Sequence, residues 1–162
     1  MNPVHFTDGY ETNKYWPHHH HYEDEAGHWC GRKAHESHNH DFFYHSRHHG
    51  AIDTGKTDDV CFAHRGEIEQ LNIYVKYKYV RQSDGQTKDR HAWMRTAELN
   101  WKAQSWTWRC FSLKDIINDG TAYNNWEPVK DGTNPTVWHM RPNNAHAKIV
   151  YFDELHIGKV RE

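Results

Sequence analysis

The most regular alternation of apolar and polar side chains runs from Ile68 to Val80. Every second residue from Leu71 to Tyr79 is apolar or aromatic, and Lys76 and Lys78 lie between them. A repeat of two, rich in β-branched and aromatic residues, is typical of a strand with one buried face. The pattern therefore predicts a β-strand here, ending before the turn residues at 83–85.

Other apolar stretches along the chain have the same character and are separated by polar turns. They predict further strands over 91–101, 105–113, 136–141 and 147–160, with one helical turn over 113–118. Because no long amphipathic helix is indicated, the pattern favours an all-β fold, an antiparallel β-sandwich or barrel. At 162 residues, the chain is expected to form one domain spanning 1–162.

Histidine changes this picture near the amino end. The chain has 17 histidines, and eleven of them lie between His18 and His49. Segment 17–50 shows little hydrophobic periodicity and is too short and polar to build its own core. We therefore expect long His-rich loops, or an insertion, on the same β domain.

Charge and hydropathy exclude several classes of protein. Lys and Arg number 20 against 22 Asp and Glu, so the chain lacks the electrostatic footprint of a nucleic-acid-binding protein. No apolar run approaches the roughly 18–20 residues of a membrane span. Aromatic residues make up 14% of the chain, which argues for a folded core rather than disorder.

Three cysteines are present, an odd number that allows one disulfide at most. Cys61 and Cys110 both have strand-like neighbours and form the preferred disulfide pair, and two buried thiols are the alternative. Cys30 lies within the His-rich segment and is a candidate metal ligand.

The His-rich segment predicts affinity for a transition metal, Zn²⁺ or Cu²⁺, because neutral imidazole is the commonest protein ligand for these ions. No zinc-finger or H-E-x-x-H spacing is present, so composition alone supports this prediction, and a solvated His-rich loop is the alternative. The candidate ligands are His18, His19, His20, His21, His28, Cys30, His35, His38, His40, His45, His48 and His49.

Both ends of the chain resemble a known family. The opening F-T-D-G-Y-E at 6–11, followed by Trp16, resembles the start of jelly-roll carbohydrate-binding modules and MAM-like extracellular domains. The closing V-Y-F-D-E-L-H-I at 150–157 is similar to their last strand, and 44–55 is similar to the stretch after their first strand. The resemblance implies a jelly-roll β-sandwich that is secreted to the extracellular space.

The same resemblance implies a structural Ca²⁺ between the first and last strands. By position it nominates Glu11 and Asp153 as ligands, with Asp8 as a third. Ca²⁺ binds six to eight oxygens in flexible geometry, so two carboxylates and backbone carbonyls could hold the chain ends together. The alternative is that these are surface carboxylates in turns.

Surface aromatics suggest carbohydrate binding, because sugar rings stack on exposed Trp and Tyr side chains. Trp93, Trp126 and Trp138 are the main candidates, and Trp101 and Tyr123 also lie in polar contexts. The competing interpretation is that such residues pack in the core or on the sheets.

Jelly rolls also host polysaccharide lyases, which use a His or Tyr base beside cationic side chains. Tyr74 and His91 are the candidate catalytic pair, with Lys76, Lys78 or Arg95 as the cations. The simpler interpretation is that these residues form the solvent face of an alternating strand.

Two functions follow from these observations. The first is a secreted binding or matrix module, Ca²⁺-stabilised, whose His-rich loops bind metal and drive pH- or metal-dependent assembly into a homo-oligomer, with glycan binding in addition. The alternative is a polysaccharide-active enzyme of lyase type on the same scaffold. Expected partners are a transition metal and a polysaccharide or glycoprotein glycan, with no nucleic acid and no membrane span.

Overall fold

The computed structural model describes residues 4–8, 21–22, 34–38, 41–57, 59–96, 98–114, 121–122, 135–145 and 148–158. Residues 4–8, 21–22, 48–49 and 121–122 are described by their backbone alone. Within these ranges, no helix is long and apolar enough to cross a membrane.

The described residues form two antiparallel sheets and the helical turn α1 (Ser46–His49), and residues 113–114 are also helical, within the predicted turn at 113–118. The first sheet contains β1 (Val4–Asp8), β2 (His21–Tyr22), β3 (Ala34–Ser37), β6 (Asp59–Arg65), β9 (Thr107–Ser112) and β12 (Val150–Gly158). The second contains β4 (Tyr44–His45), β5 (Ile52–Asp53), β7 (Gln70–Val80), β8 (Thr87–Arg95), β10 (Thr121–Ala122) and β11 (Thr136–Asn143). The predicted all-β, sandwich-like fold is confirmed.

In each sheet, two short strands pair with successive parts of one side of a long strand. The first sheet runs β2-β3-β12-β6-β9, and β1 pairs with the second half of β12. The second runs β10-β8-β7-β11, and β4 and β5 pair with successive parts of β11. The first and last strands are therefore neighbours, with Val4 opposite Gly158 and Asp8 opposite Leu155.

One apolar core lies between the sheets. Val60 and Phe62 enter it from β6, and Ile73 and Val75 enter it from β7, all fully buried. Phe43 stacks on Phe152 with ring centroids 4.6 Å apart. Alternation within each strand sends these side chains inward and their neighbours outward, so burial of the inner faces stabilises both sheets together.

The strand predicted from Ile68 is confirmed as β7, but the strand expected at 91–101 lies earlier in the chain, at Thr87–Arg95. The reason is at Thr96, whose hydroxyl accepts a hydrogen bond from the Leu71 backbone N–H at 2.8 Å and whose own N–H donates to Leu71 O. The chain then turns through Asn100 at φ 50°, and Trp101 forms an isolated bridge with Ile68.

The expectation that 17–50 forms loops is wrong for three parts of that segment, which are β2, β3 and β4. β3 lies inside the first sheet, between β2 and β12. Its buried positions include His35 and Ser37, and the His35 ring lies 6.5 Å from that of Phe152. Polar residues therefore occupy buried positions of this strand, which is why the hydrophobic pattern misses it.

A disulfide joins Cys61 and Cys110, the pair that the sequence favours. The two residues are register partners on β6 and β9, and their Cα atoms lie 4.1 Å apart. The bond ties adjacent strands together across 49 residues of chain. Cys30 lies outside the described residues.

Candidate functional site

The outer face of the second sheet carries an open cavity of about 520 Å³, which we call the aromatic cleft. A second cavity of about 370 Å³ adjoins it, shares Lys76 and His91 with it, and reaches Lys78 and Asp89. The aromatic cleft is lined by His45, Ser46, Arg47, Tyr74, Lys76, His91, Trp93, Trp138 and His139.

Strand alternation and register bring these side chains to one face. On β7, Ile73, Val75 and Tyr77 point into the core, so Tyr74 and Lys76 point outward. Tyr74 lies opposite Trp93 of β8 and opposite His139 of β11, and Lys76 lies opposite His91. Residues directly opposite on antiparallel strands have neighbouring side chains, which explains this row across three strands.

Trp138 reaches the cleft because β11 is irregular at this point. The register of β11 against β7 shifts between Val137 and His139, as in a β-bulge, and Trp138 is the additional residue. Its indole N–H donates to the Thr136 hydroxyl at 3.0 Å. The Lys76 Nζ lies 3.4 Å from the centroid of the Trp138 ring, a cation–π contact that fixes both side chains at the rim.

Trp93 of β8 is held by side chains from β7, from β11 and from the segment before β4. Its ring is parallel to that of Phe42 at 6.1 Å and lies 5.0 Å from that of Tyr74. The Arg141 guanidinium carbon lies 4.3 Å from the Trp93 centroid. These contacts leave the indole half-buried in a fixed orientation, which lowers the entropy that a ligand would have to remove on binding.

The candidate catalytic pair is in direct contact. The Tyr74 hydroxyl lies 2.9 Å from Nδ1 of His91, within hydrogen-bond distance. Such a pair can pass a proton between a phenol and an imidazole, which is the requirement for general acid–base chemistry. Of the predicted cations, Lys76 lines the same cavity, Lys78 lines only the adjoining one, and Arg95 lines neither.

Two imidazoles pack against each other at the edge of the cleft, with their rings tilted by 31°. The His45 and His139 ring centroids are 4.0 Å apart, and Nδ1 of His45 accepts a hydrogen bond from the Arg47 backbone N–H at 3.0 Å. Burial lowers the pKa of His139, and the positive charge of Lys76 lowers it further. His139 therefore binds a proton less readily than an ordinary histidine.

Sequence reasoning missed Arg47 and His139 as members of the cleft. His139 occupies an outward position between the inward Val137 and Met140, but nothing local places it beside His45. The pairing of β4 with β11 joins distant parts of the chain, so only the sheet register brings these residues together.

The predicted transition-metal ligands do not converge in the part of the chain that is described. His35 is buried inside the first sheet, His38 pairs with Glu36 through Nε2–Oε1 at 2.8 Å, and His45 lies in the aromatic cleft. No three His, Cys, Asp or Glu side chains of the described ranges form a metal-binding group. The side chains of the other candidates, His18, His19, His20, His21, His28, Cys30, His40, His48 and His49, lie outside what is described.

The predicted Ca²⁺ ligands are described only in part. Asp153 is fully buried on β12, and its Oδ1 accepts a hydrogen bond from the Glu154 backbone N–H at 2.8 Å. Glu154 has φ 48° where the register of β12 against β6 shifts, so Asp153 sits beside an irregularity of the strand. Asp8 lies on the neighbouring β1, two positions along β12 from Asp153, and Glu11 lies outside the described residues.

The glycan candidates divide in the same way. Trp93 and Trp138 both line the aromatic cleft. Trp101 instead packs against the core, 6.3 Å from Phe62 and 5.9 Å from Phe111 between ring centroids. Trp126 and Tyr123 lie outside the described residues.

Comparison of the chain with protein-family models, with curated proteins and with solved structures found no match. What the cleft does must therefore be inferred from its own side chains.

Proposed function

We propose that this protein is a secreted glycan-binding module with a jelly-roll β-sandwich, and that the aromatic cleft is its sugar site. One observation supports this above all: Trp93 and Trp138 come from strands on either side of β7, yet both line one open cavity. Their contacts with Phe42 and Lys76 hold the two rings in fixed positions. Sugar rings stack on such aromatic surfaces, and preorganised rings bind them at a low entropic cost.

Polar groups around these rings match the hydroxyl groups of a sugar. Ser46, Tyr74 and the imidazoles of the cleft offer donors and acceptors near the two indoles. Few ligands other than carbohydrates present apolar C–H faces and closely spaced hydroxyls together. The Cys61–Cys110 disulfide supports secretion, because such bonds persist in oxidising compartments.

The test is binding to a panel of neutral and acidic polysaccharides by affinity electrophoresis. We expect Trp93→Ala and Trp138→Ala each to weaken binding by about tenfold or more, as for other central aromatic contacts. Trp108→Ala is the matched control, because Trp108 is 36% exposed on the outer face of the other sheet. Absence of binding to every polysaccharide, or equal loss in all three variants, would overturn the proposal.

A structural Ca²⁺ and a transition-metal site remain part of this proposal. The pairing of β1 with β12 supports the Ca²⁺ site, because it brings Asp8 to within two register positions of Asp153 and so places two candidate carboxylates on neighbouring strands. Addition of EGTA should then lower the melting temperature. Zn²⁺-induced light scattering that is lost at about pH 5.5 would support metal-driven assembly, because protonated imidazole does not bind metal.

A lyase is the second candidate function, and the Tyr74–His91 hydrogen bond favours it. Lyases act on uronate polysaccharides by β-elimination. A base removes the proton from the carbon next to the carboxylate, the adjacent C–O bond breaks, and the departing oxygen takes a proton. The product gains a C=C bond. Tyr74 and His91 could remove and return these protons, with Lys76 beside the carboxylate.

Ultraviolet absorbance of the unsaturated product tests this second candidate. Tyr74→Phe and His91→Gln should each abolish product formation while binding of the polysaccharide persists. Absence of product with the unmodified protein, on every uronate polysaccharide that it binds, would leave a binding module alone.

A further inference from the structure

The charged side chains that line the aromatic cleft indicate which class of glycan it would bind. The chain as a whole has a formal net charge of −2. The lining of the aromatic cleft nevertheless contains two permanent cations, Arg47 and Lys76, and none of its described lining residues is Asp or Glu. Positive charge is therefore concentrated on this face, although the chain as a whole has a small negative net charge.

The cationic surface continues along β7 into the adjoining cavity. Lys78 lies two residues beyond Lys76 on the same face, and its register partner is Asp89, the one carboxylate among the described lining residues of the two cavities. From Tyr74 to Lys78 the strand extends about 13 Å. This length suits several consecutive sugar units better than a single one.

Lys76 occupies the junction of the two cavities. Its Nζ lies over one face of the Trp138 ring, 3.4 Å from the ring centroid, so a positive charge sits directly against an aromatic ring of the cleft. A neutral sugar would contact the aromatic rings and the hydrogen-bonding groups of the cleft, whereas a sugar that carries a carboxylate or sulfate would also pair with this charge. A charge-assisted hydrogen bond from Lys76 would be about twice as strong as a neutral one.

We propose that the cleft selects an anionic polysaccharide, a chain whose sugars carry carboxylate or sulfate groups, over its neutral counterpart. This inference rests on the proposed glycan-binding function and specifies its ligand. Arg47 and Lys76 bind the anionic groups, and Trp93 and Trp138 bind the sugar rings between them.

The experiment compares ligands that differ only in charge. Affinity electrophoresis and calorimetry are run with polygalacturonate against its methyl ester, and with dextran sulfate against dextran. We expect binding to at least one anionic polymer that is about tenfold or more tighter than to its neutral partner, and that weakens with added salt. The two pairs distinguish carboxylate from sulfate as the anion.

Variants tie the effect to the cleft. The double variant Arg47→Gln/Lys76→Met should lower affinity for the anionic polymer by about tenfold or more, and should lower affinity for neutral polymers by a smaller factor, because Lys76 also holds the Trp138 ring. Lys102→Met is the matched control, because Lys102 is exposed and lies outside both cavities.

Each outcome bears on one of the two proposals. Equal affinity for charged and neutral partners, or a double variant that behaves like Lys102→Met, would overturn the anionic selectivity and leave glycan binding in place. Absence of binding to all four polymers and to the wider panel would overturn glycan binding itself.

Discussion

Acidification should destabilise this fold through His64, whose imidazole is fully buried in β6. Its Nδ1 lies 3.1 Å from Gly66 O, and its Nε2 accepts a hydrogen bond from Nε of Arg109 at 3.0 Å. One neutral tautomer satisfies both contacts, with the proton on Nδ1. A second proton on Nε2 would face the N–H of Arg109 and add a charge beside a guanidinium.

Burial and the Arg109 charge lower the pKa of His64 to about 4 from its ordinary value of 6.5. The unfolded chain therefore binds more protons than the folded chain between these two values. The stability that neutral His64 contributes is fully present above about pH 6.5 and is lost as the pH falls toward 4. At 1.36 kcal/mol per pKa unit, the whole loss is about 3 kcal/mol, and about 2.5 kcal/mol of it is gone by pH 4.5.

Urea unfolding at about pH 7.5 and pH 4.5 measures this effect as a difference between proteins. His64→Gln keeps a polar side chain beside Arg109 but cannot titrate in this range. Its free energy of unfolding should therefore fall between the two pH values by about 2.5 kcal/mol less than that of the unmodified protein. His38→Gln, which removes an exposed imidazole, controls for histidine replacement as such.

The pH dependence of the variant must be subtracted from that of the unmodified protein, because the chain has 17 histidines and the others add their own pH dependence. If His64→Gln and the unmodified protein lost the same stability to within about 0.5 kcal/mol, the assignment to His64 would be refuted. A His64→Gln variant that is less stable at both pH values but loses as much stability on acidification as the unmodified protein would also refute the assignment.

Three further predictions concern the scaffold. Reduction of Cys61–Cys110 should lower the free energy of unfolding by about 4 kcal/mol, because the bond closes a loop of 49 residues. Urea unfolding of a Cys30→Ser variant measures this difference. An unchanged free energy of unfolding would contradict a role of the disulfide in stability. Gly66→Ala should cost about 2 kcal/mol, because φ is 104° and the new Cβ would lie 2.8 Å from Ile149 O. Gly85→Ala, at φ 67° with nothing within 4 Å, should cost about half as much, so equal costs would count against the clash. Phe43→Ala should cost about 3–5 kcal/mol by thermal or urea unfolding, against a smaller loss for the half-buried Phe42→Ala; the reverse order would be inconsistent with the core described.

The pattern of apolar residues predicts a strand correctly where one face of the strand is buried and the other is exposed to solvent. β7 is found within its predicted range because Ile73 and Val75 face the core and Lys76 faces solvent. β3 is missed because His35 and Ser37 fill buried positions that a pattern assigns to apolar side chains. Its place depends on hydrogen bonding to β12, which the local sequence does not specify.

The same distinction applies to the cleft. Tyr74, His91, Trp93 and Trp138 could be nominated from residue type and alternation along single strands. Their meeting in one cavity, and the addition of Arg47 and His139, depends on the register of β11 against both β4 and β7. The irregularity that brings Trp138 forward has no signature in the sequence, since no glycine or proline marks it.

The pairing of β1 with β12 has a mechanical consequence. Val4 and Gly158 are register partners at one end of an antiparallel pair, so a tensile load applied through them would peel hydrogen bonds apart one after another. Bonds loaded in sequence yield at lower force than bonds sheared together. Once β1 and β12 had separated, the Cys61–Cys110 bond would stop further extension of the enclosed chain. Under tension, the module would act as an extensible link with a covalent limit.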